Sequence, residues 1–326
     1  VYTGKAEEYT AVAASIKQRI DAGYLDGCED PDEGIAVISA KHAALRSLIP
    51  FLVKENVPFS YRERQNLFAS ERMQTTLALL RCVTALARGQ KELASSYLPQ
   101  IICAAELDGD HPSSVAFALS AKREHHGDWM AAMRESDSPR VKELYDGLMQ
   151  WASEASASPV RPLLFRIVER SLGYYQDRKE QDPLGAAEFN AGIRALLAFT
   201  EGEIGDARRM GRALRLPDIV DKLDAAQKFG VSIDAPIDLG TPGAVRLTSA
   251  HSSKGLEFDC VYLLDADDST WHKGAGGMSL YPSNLLIRDE KDDDDARRLL
   301  FVAITRAKEA VICAPMGSRT KNDGTG

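Results

Sequence analysis

Two short stretches hold side chains whose types and spacing suit chemistry on a phosphate. The first is residues 248–259, TSAHSSKGLEFD. It offers hydroxyls and an imidazole for phosphate or base contacts, and a lysine, Lys254, for an anion. Gly255 lets a backbone approach a ligand closely. A polar, glycine-bearing connection at strand ends is where open α/β sheets place ligands, and an ordinary solvated loop has the same composition. The second stretch is residues 296–308, ARRLLFVAITRAK. Read as a helix, Leu299, Val302, Ala303 and Arg306 recur at i, i+3, i+4 and i+7, so Arg306 ends an apolar stripe. A guanidinium there needs an anionic partner, and its planar fork suits phosphate. The alternative is an arginine that neutralises the helix carboxyl end and reaches water along its own stem.

The elements around these stretches must position them. Residues 35–39 (IAVIS), 244–249 (AVRLTS), 260–264 (CVYLL) and 310–314 (AVICA) read as strands, the most apolar of them buried on both faces. Ala44, Leu45, Leu48, Ile49 and Leu52 recur at helical spacing before a further strand at 56–61. Strand, helix and strand in that order predict one βαβ unit of a parallel sheet. Helices are expected at 9–22, ahead of an acidic turn at 29–34, and at 294–308. From about residue 71 to 233 the pattern is helical: 71–86, 91–104, 112–135, 139–155, 160–175, 185–204 and 216–229. Polar connections at 108–114, 153–159 and 179–185 and a turn segment at 234–243 punctuate it. The fold class that follows is α/β. One parallel-sheet domain would be built from residues 1–73 and 243–326, interrupted by an all-α insertion at 74–242.

Composition narrows the function classes. The 326 residues carry 40 Lys+Arg against 48 Asp+Glu, a net charge of −8. That balance argues against a small module gripping nucleic acid by bulk charge, and leaves room for contact through one local cleft. Five cysteines without a CxxC pair disfavour a disulfide framework or thiolate zinc site and suit a reducing cytoplasm. No apolar run approaches the roughly 18 residues of a membrane span. The first ten residues hold no apolar signal-peptide core. The expectation is a cytoplasmic protein with no membrane partner.

HSSKGLEF, followed some forty residues later by RRLLFVAITRAKE, resembles motifs V and VI of the UvrD/Rep/PcrA-type superfamily 1 DNA helicases. Residues 34–80 resemble the same family's strand, helix and strand, and 161–176 and the helix beginning at 216–219 resemble it loosely. The resemblance implies a RecA-like domain 2A, P-loop NTPase-like without the P-loop, interrupted by a helical domain 2B. Arg306 would be the arginine finger that reaches the γ-phosphate of ATP across the cleft between two RecA-like domains. Glu257 would accept a hydrogen bond from the nucleotide ribose, with Lys254 and Gly255 beside the γ-phosphate. Ser249, in place of the family's Thr, and His251 would touch the single-stranded DNA backbone or bases.

Departures from the family pattern sharpen the expectation. Ala40 stands where the family often has an Arg, residues 265–271 (DADDSTW) replace a Gly- and Pro-containing turn, and the insertion lacks a Gly-Ile-Gly turn. No GxxxxGK[ST] occurs, and no Asp-Glu pair follows an apolar strand, so ATP and Mg²⁺ would be held with an N-terminal half. The chain then reads as the C-terminal half of an ATP-dependent 3′→5′ DNA helicase of repair or recombination. By itself it would be inactive as an ATPase. Its partners would be single-stranded DNA or junctions, the N-terminal half, and a repair protein docked on the insertion. The alternatives are a non-catalytic, helicase-derived interaction module and a RecB/AddA-like helicase–nuclease component. Residues 289–295 (DEKDDDD) and the pair His125-His126 each read as a metal site or a solvated surface. Trp129, Trp151 and Trp271 read as base-stacking or core residues, and Arg62, Arg64 and Arg72 as a basic edge or a solvated face.

Overall fold

The computed structural model describes residues 4–25, 33–107, 111–240, 243–266, 271 and 290–313. The turns expected at 29–34 and 108–114 lie partly outside the described residues, as does 267–270 of the run after Leu264. The side chains of the acidic run 289–295 lie outside them too. The chain divides into two compact units, Val1–Glu63 with Asp238–Gly326, and Arg64–Ile237.

Unit 1 is built on a mixed α/β pattern. Its elements are α1 (Lys5–Asp21), β1 (Ile35–Ser39), α2 (His42–Lys54) and β2 (Phe59–Asn66), then β3 (Asp234–Leu239), β4 (Val245–Ser249), β5 (Phe258–Leu263), α11 (Glu290–Ile304) and β6 (Ala307–Cys313). The six strands form one sheet in the order β3-β2-β4-β1-β5-β6, and β1, β2, β4, β5 and β6 pair in parallel. Every residue of β1 and of β4 is buried. For β1 that is why it reads as an apolar run without alternation, whereas β4 buries Arg246, Thr248 and Ser249 beside Val245 and Leu247.

The segment expected as a turn at 234–243 contains β3 instead. Its residues alternate exposed and buried, with Ala235 and Ile237 inside. Ser60 lies against Gly240, Arg62 pairs with Asp238, and Leu67 N donates to Ile233 O. Numbers fall on one strand as they rise on the other, so β3 runs antiparallel to β2. Strands β2 and β3 carry the chain across the unit boundary.

Unit 2 is helical over 74–228: α3 (Gln74–Ala87), α4 (Lys91–Cys103), α5 (His111–Glu124), α6 (Trp129–Glu135), α7 (Pro139–Ala155), α8 (Val160–Asp177), α9 (Pro183–Arg209) and α10 (Leu216–Lys228). Its core gathers Leu79, Leu98, Leu148, Leu163, Ile167, Phe189 and Ile219. The single helix expected at 112–135 is two. His126 and Gly127 take left-handed backbone angles of φ 52° and 85°, and the Asp128 carboxylate accepts from Ala131 N at 3.0 Å to cap α6. Trp151 is buried in the core and Trp129 packs beside it near Phe117. Arg72 is not part of a basic edge: it pairs with Asp182 and Glu188. In unit 1, Arg62 is likewise matched by Asp238.

Candidate functional site

The sheet order places β1 between β4 and β5, so the connection from β4 to β5 must cross β1. Ser249 ends β4 and sits in register with Ser39, the last residue of β1. Ala250 N donates to Ser39 O at 3.0 Å, which fixes the start of the connection at the carboxyl edge of the sheet. Cys260 is in register with Ile35, the first residue of β1, and Phe258 with Ala307, the first of β6. The connection therefore ends at the opposite, amino edge. Four strand steps separate the two levels, about 13 Å at ~3.3 Å per residue.

Residues 250–257 span that distance as a hydrogen-bonded strut. Ser253 N donates to Ser249 O at 2.9 Å, Lys254 N to His251 O at 3.4 Å, and Leu256 N to Ser253 O at 3.1 Å. These bonds of helical spacing leave few backbone groups for the segment to satisfy elsewhere. Ser253 is fully buried and donates through Oγ to Ala250 O at 2.9 Å, tying the strut to its own start. Gly255, at φ 89°, turns the chain out of this run, and the space where a Cβ would stand is open. The hydrophobic anchors are Ala250 and Phe258, both buried with Ala36, Ile38 and Val261.

Arg306 joins the strut where it reaches the amino edge of the sheet, and it does so from outside the helix. The expected helix to residue 308 ends at Ile304, and Arg306 lies in the turn before β6. Its Nη1 donates to Leu256 O at 3.0 Å, its Nε to Val302 O at 3.0 Å, and its Nη2 to Thr305 Oγ1 at 3.1 Å. Its own carbonyl accepts from Phe258 N at 2.8 Å. The half-buried guanidinium thus rests on carbonyls and a hydroxyl, and one N–H on each terminal nitrogen is left for a further acceptor.

The residues singled out from sequence thus fall into two groups on one strut. Ser249 and His251 stand at the carboxyl edge. Gly255, Glu257 and Arg306 stand toward the amino edge, with Lys254 between. His251, Lys254 and Glu257 are exposed, whereas Ser249 is only 6% exposed. Two participants were not singled out from the sequence. Ser252 accepts a hydrogen bond from Ser249 Oγ at 2.9 Å and gives its backbone N–H to the same oxygen at 3.3 Å. Thr305 donates to Val302 O at 3.0 Å while accepting from Arg306. The spacing of Ser249 and Ser252 is the available sequence signal, since a serine hydroxyl commonly caps the third residue on.

Helix α1 holds the far end of β5. Asp265, buried and at φ 48°, takes its backbone N–H to Glu8 Oε1 at 2.9 Å and its carboxylate to Lys5 Nζ at 3.0 Å. Burial, and then the Asp265 carboxylate, push the Tyr9 phenol up. Trp271 is 5% exposed and donates from Nε1 to Asp265 O at 3.0 Å, so it packs rather than stacks on a base. Among the described residues no group of three or more His, Cys, Asp or Glu is arranged to hold a metal ion, and His125 faces Glu135 at 3.9 Å. Among the described residues no helix is long and apolar enough to cross a membrane.

The UvrD-like helicase C-terminal domain family matches residues 232–314, which hold all six site residues. Over 298 residues the chain is 22% identical to ATP-dependent DNA helicase PcrA of Staphylococcus aureus, covering 88% of this chain and 37% of that protein. The resemblance to the C-terminal half of UvrD/PcrA-type superfamily 1 helicases is borne out. A stretch of 82 residues is 37% identical to PcrA of Staphylococcus epidermidis, covering 24% of this chain and 10% of that protein. Similarity extends to an ATP-dependent helicase/nuclease of Streptococcus sanguinis, at 25% over 236 residues, 59% of this chain and 18% of that one. The chain spans well under half the length of these relatives.

Proposed function

We propose that this chain is the part of an ATP-dependent 3′→5′ DNA helicase that supplies the arginine finger and part of the single-stranded DNA track, in DNA repair or recombination. Unit 1 is then the RecA-like domain 2A, and the helical unit is the inserted domain 2B. The observation that carries the reading is the strut. It runs from the hydroxyl and imidazole of Ser249 and His251 to the guanidinium of Arg306, and both ends are tied to it by hydrogen bonds. A DNA-binding edge and a phosphate-binding edge on one hydrogen-bonded segment are what coupling of translocation to ATP hydrolysis requires.

The residues present suit a nucleotide. Arg306 and Lys254 are cationic donors for phosphate oxygens, the open space at Gly255 admits close approach, and the exposed Glu257 carboxylate suits a ribose hydroxyl. ATP would be bound jointly with an N-terminal half that holds Mg²⁺ and the phosphate loop. Arg306 would turn its unused N–H groups to the γ-phosphate and stabilise the charge that develops there. Single-stranded DNA or a junction would be the substrate, in the cytoplasm, and a repair protein would dock on the helical unit. The similarity to a helicase/nuclease supports a second reading, a RecB/AddA-like component.

The test is DNA-stimulated ATPase activity of the chain supplied with a phosphate-loop half, fused or in trans. Arg306→Ala is expected to lower kcat by about 10³ or more with little change in DNA affinity. Activity within threefold of the parent sinks the finger assignment.

A further inference from the structure

The two serines at the start of the strut, on the carboxyl edge of the sheet, do different work. Ser249 is 6% exposed, and its Oγ is committed twice, donating to Ser252 Oγ at 2.9 Å and accepting from Ser252 N at 3.3 Å. A hydroxyl has one proton, and the Ser249 proton is spent on Ser252. Ser252 is exposed, stands between the exposed His251 and the buried Ser253, and lies two residues before the exposed Lys254. Its oxygen already accepts from Ser249, which frees its own proton to donate outward and polarises that O–H.

We infer that Ser252 is the hydroxyl that contacts a backbone phosphate of single-stranded DNA, and that Ser249 is the positioning residue behind it. This rests on reading the strut as part of the DNA track. A phosphate oxygen is the acceptor that fits: the donor is solvent-facing, has its proton free, and stands one residue from the exposed imidazole of His251. The contact positions the strand without reading its sequence.

The experiment measures equilibrium binding of fluorescein-labelled oligo(dT) to the chain joined to its phosphate-loop half. Ser252→Ala is expected to weaken binding roughly tenfold, as loss of one hydrogen bond to a charged group does, and Ser252→Thr to retain it. Ser249→Ala is expected to weaken binding less, and to add nothing in the Ser252→Ala background. Replacing one linkage of the oligonucleotide by a neutral methylphosphonate is expected to abolish the Ser252→Ala penalty at a single position. If His251→Ala weakens binding while Ser252→Ala does not, or Ser249→Ala costs the same in both backgrounds, the inference is overturned and the track reading stands. If His251→Ala, Ser249→Ala and Ser252→Ala all bind as the parent does, the track reading itself falls.

Discussion

The two units are organised by different interactions. In unit 1 the groups proposed to act are set by specific hydrogen bonds: Arg306 to Leu256 O, Ser249 to Ser252, Ser253 to Ala250 O. In unit 2 a packed helical core is dressed with ion pairs, among them Arg81–Asp224, Arg88–Asp221, Arg166–Glu154, Arg170–Glu143 and Lys222–Glu203. Residues 64–237 hold 22 Lys+Arg against 24 Asp+Glu, so most of the cationic charge can be met within the unit. The lesson is that the acidic balance of the whole chain is the sum of two unlike surfaces. Unit 1 keeps the other 18 Lys+Arg and 24 Asp+Glu and is the more acidic of the two. Bulk charge therefore disfavours nucleic-acid contact in both units, and the contact proposed for unit 1 rests on a few placed groups.

The sharpest way to break this comparison is to damage one unit and watch the other. Leu163 is fully buried in the unit 2 core. Leu163→Ala should cost about 2–5 kcal/mol, the usual range for a large core truncation. Hydrogen exchange should show faster opening of α7, α8 and α9, with Val37, Leu247 and Val261 in the central strands of unit 1 protected as before. Equal loss of protection in both units shows that they open as one body, and the contrast between them fails.

A smaller effect tests the strut. The backbone of Gly255 stands at φ 89°, where an L side chain is strained, but the neighbouring space is open. Gly255→Ala should therefore cost about 1–2 kcal/mol through backbone strain and not through a clash. Relief of that strain moves Leu256 O away from Arg306. The expected signature is faster exchange at Arg306 Nε–H, which bonds Val302 O beside that contact, with unit 2 unaffected. Unchanged exchange there means the strut does not transmit a change at Gly255 to Arg306.

How much of this was legible beforehand depended on what each feature is made of. Strand β1 was readable to the residue because a strand buried on both faces is a bare apolar run. Strand β3 was missed because Pro236 and the two aspartates resemble a turn, and an edge strand tolerates a proline that a central one does not. The break at 125–128 was written only in Gly127 and Asp128, within a stretch that otherwise keeps helical character. The residues proposed to act were singled out by type. Their division between two edges of the sheet was not, because that follows from the register of β4, β1 and β5. The partners of Arg306 were equally hidden, since two of the three are backbone carbonyls, which every residue has.

The smallest expected effect concerns the ion pairs that set unit 2 apart. Arg88 holds Asp221 with two bonds, Nη1 to Oδ1 at 2.8 Å and Nη2 to Oδ2 at 2.7 Å, clamping α3 to α10. The Arg88 hydrogen bond holds the Asp221 carboxyl below its ordinary range. Because the folded value is depressed, the stability it contributes is present above the ordinary carboxylate range and is lost as pH falls through the folded value. Asp221 is more than half exposed, so solvent screens the pair and Arg88→Ala should cost at most about 1 kcal/mol at neutral pH. Parent and variant should then converge in urea unfolding as the pH is lowered past that value. A difference that persists in acid means that Arg88 acts through its stem packed on the helices, or through its contact with Pro217 O at 3.5 Å, and not through its charge.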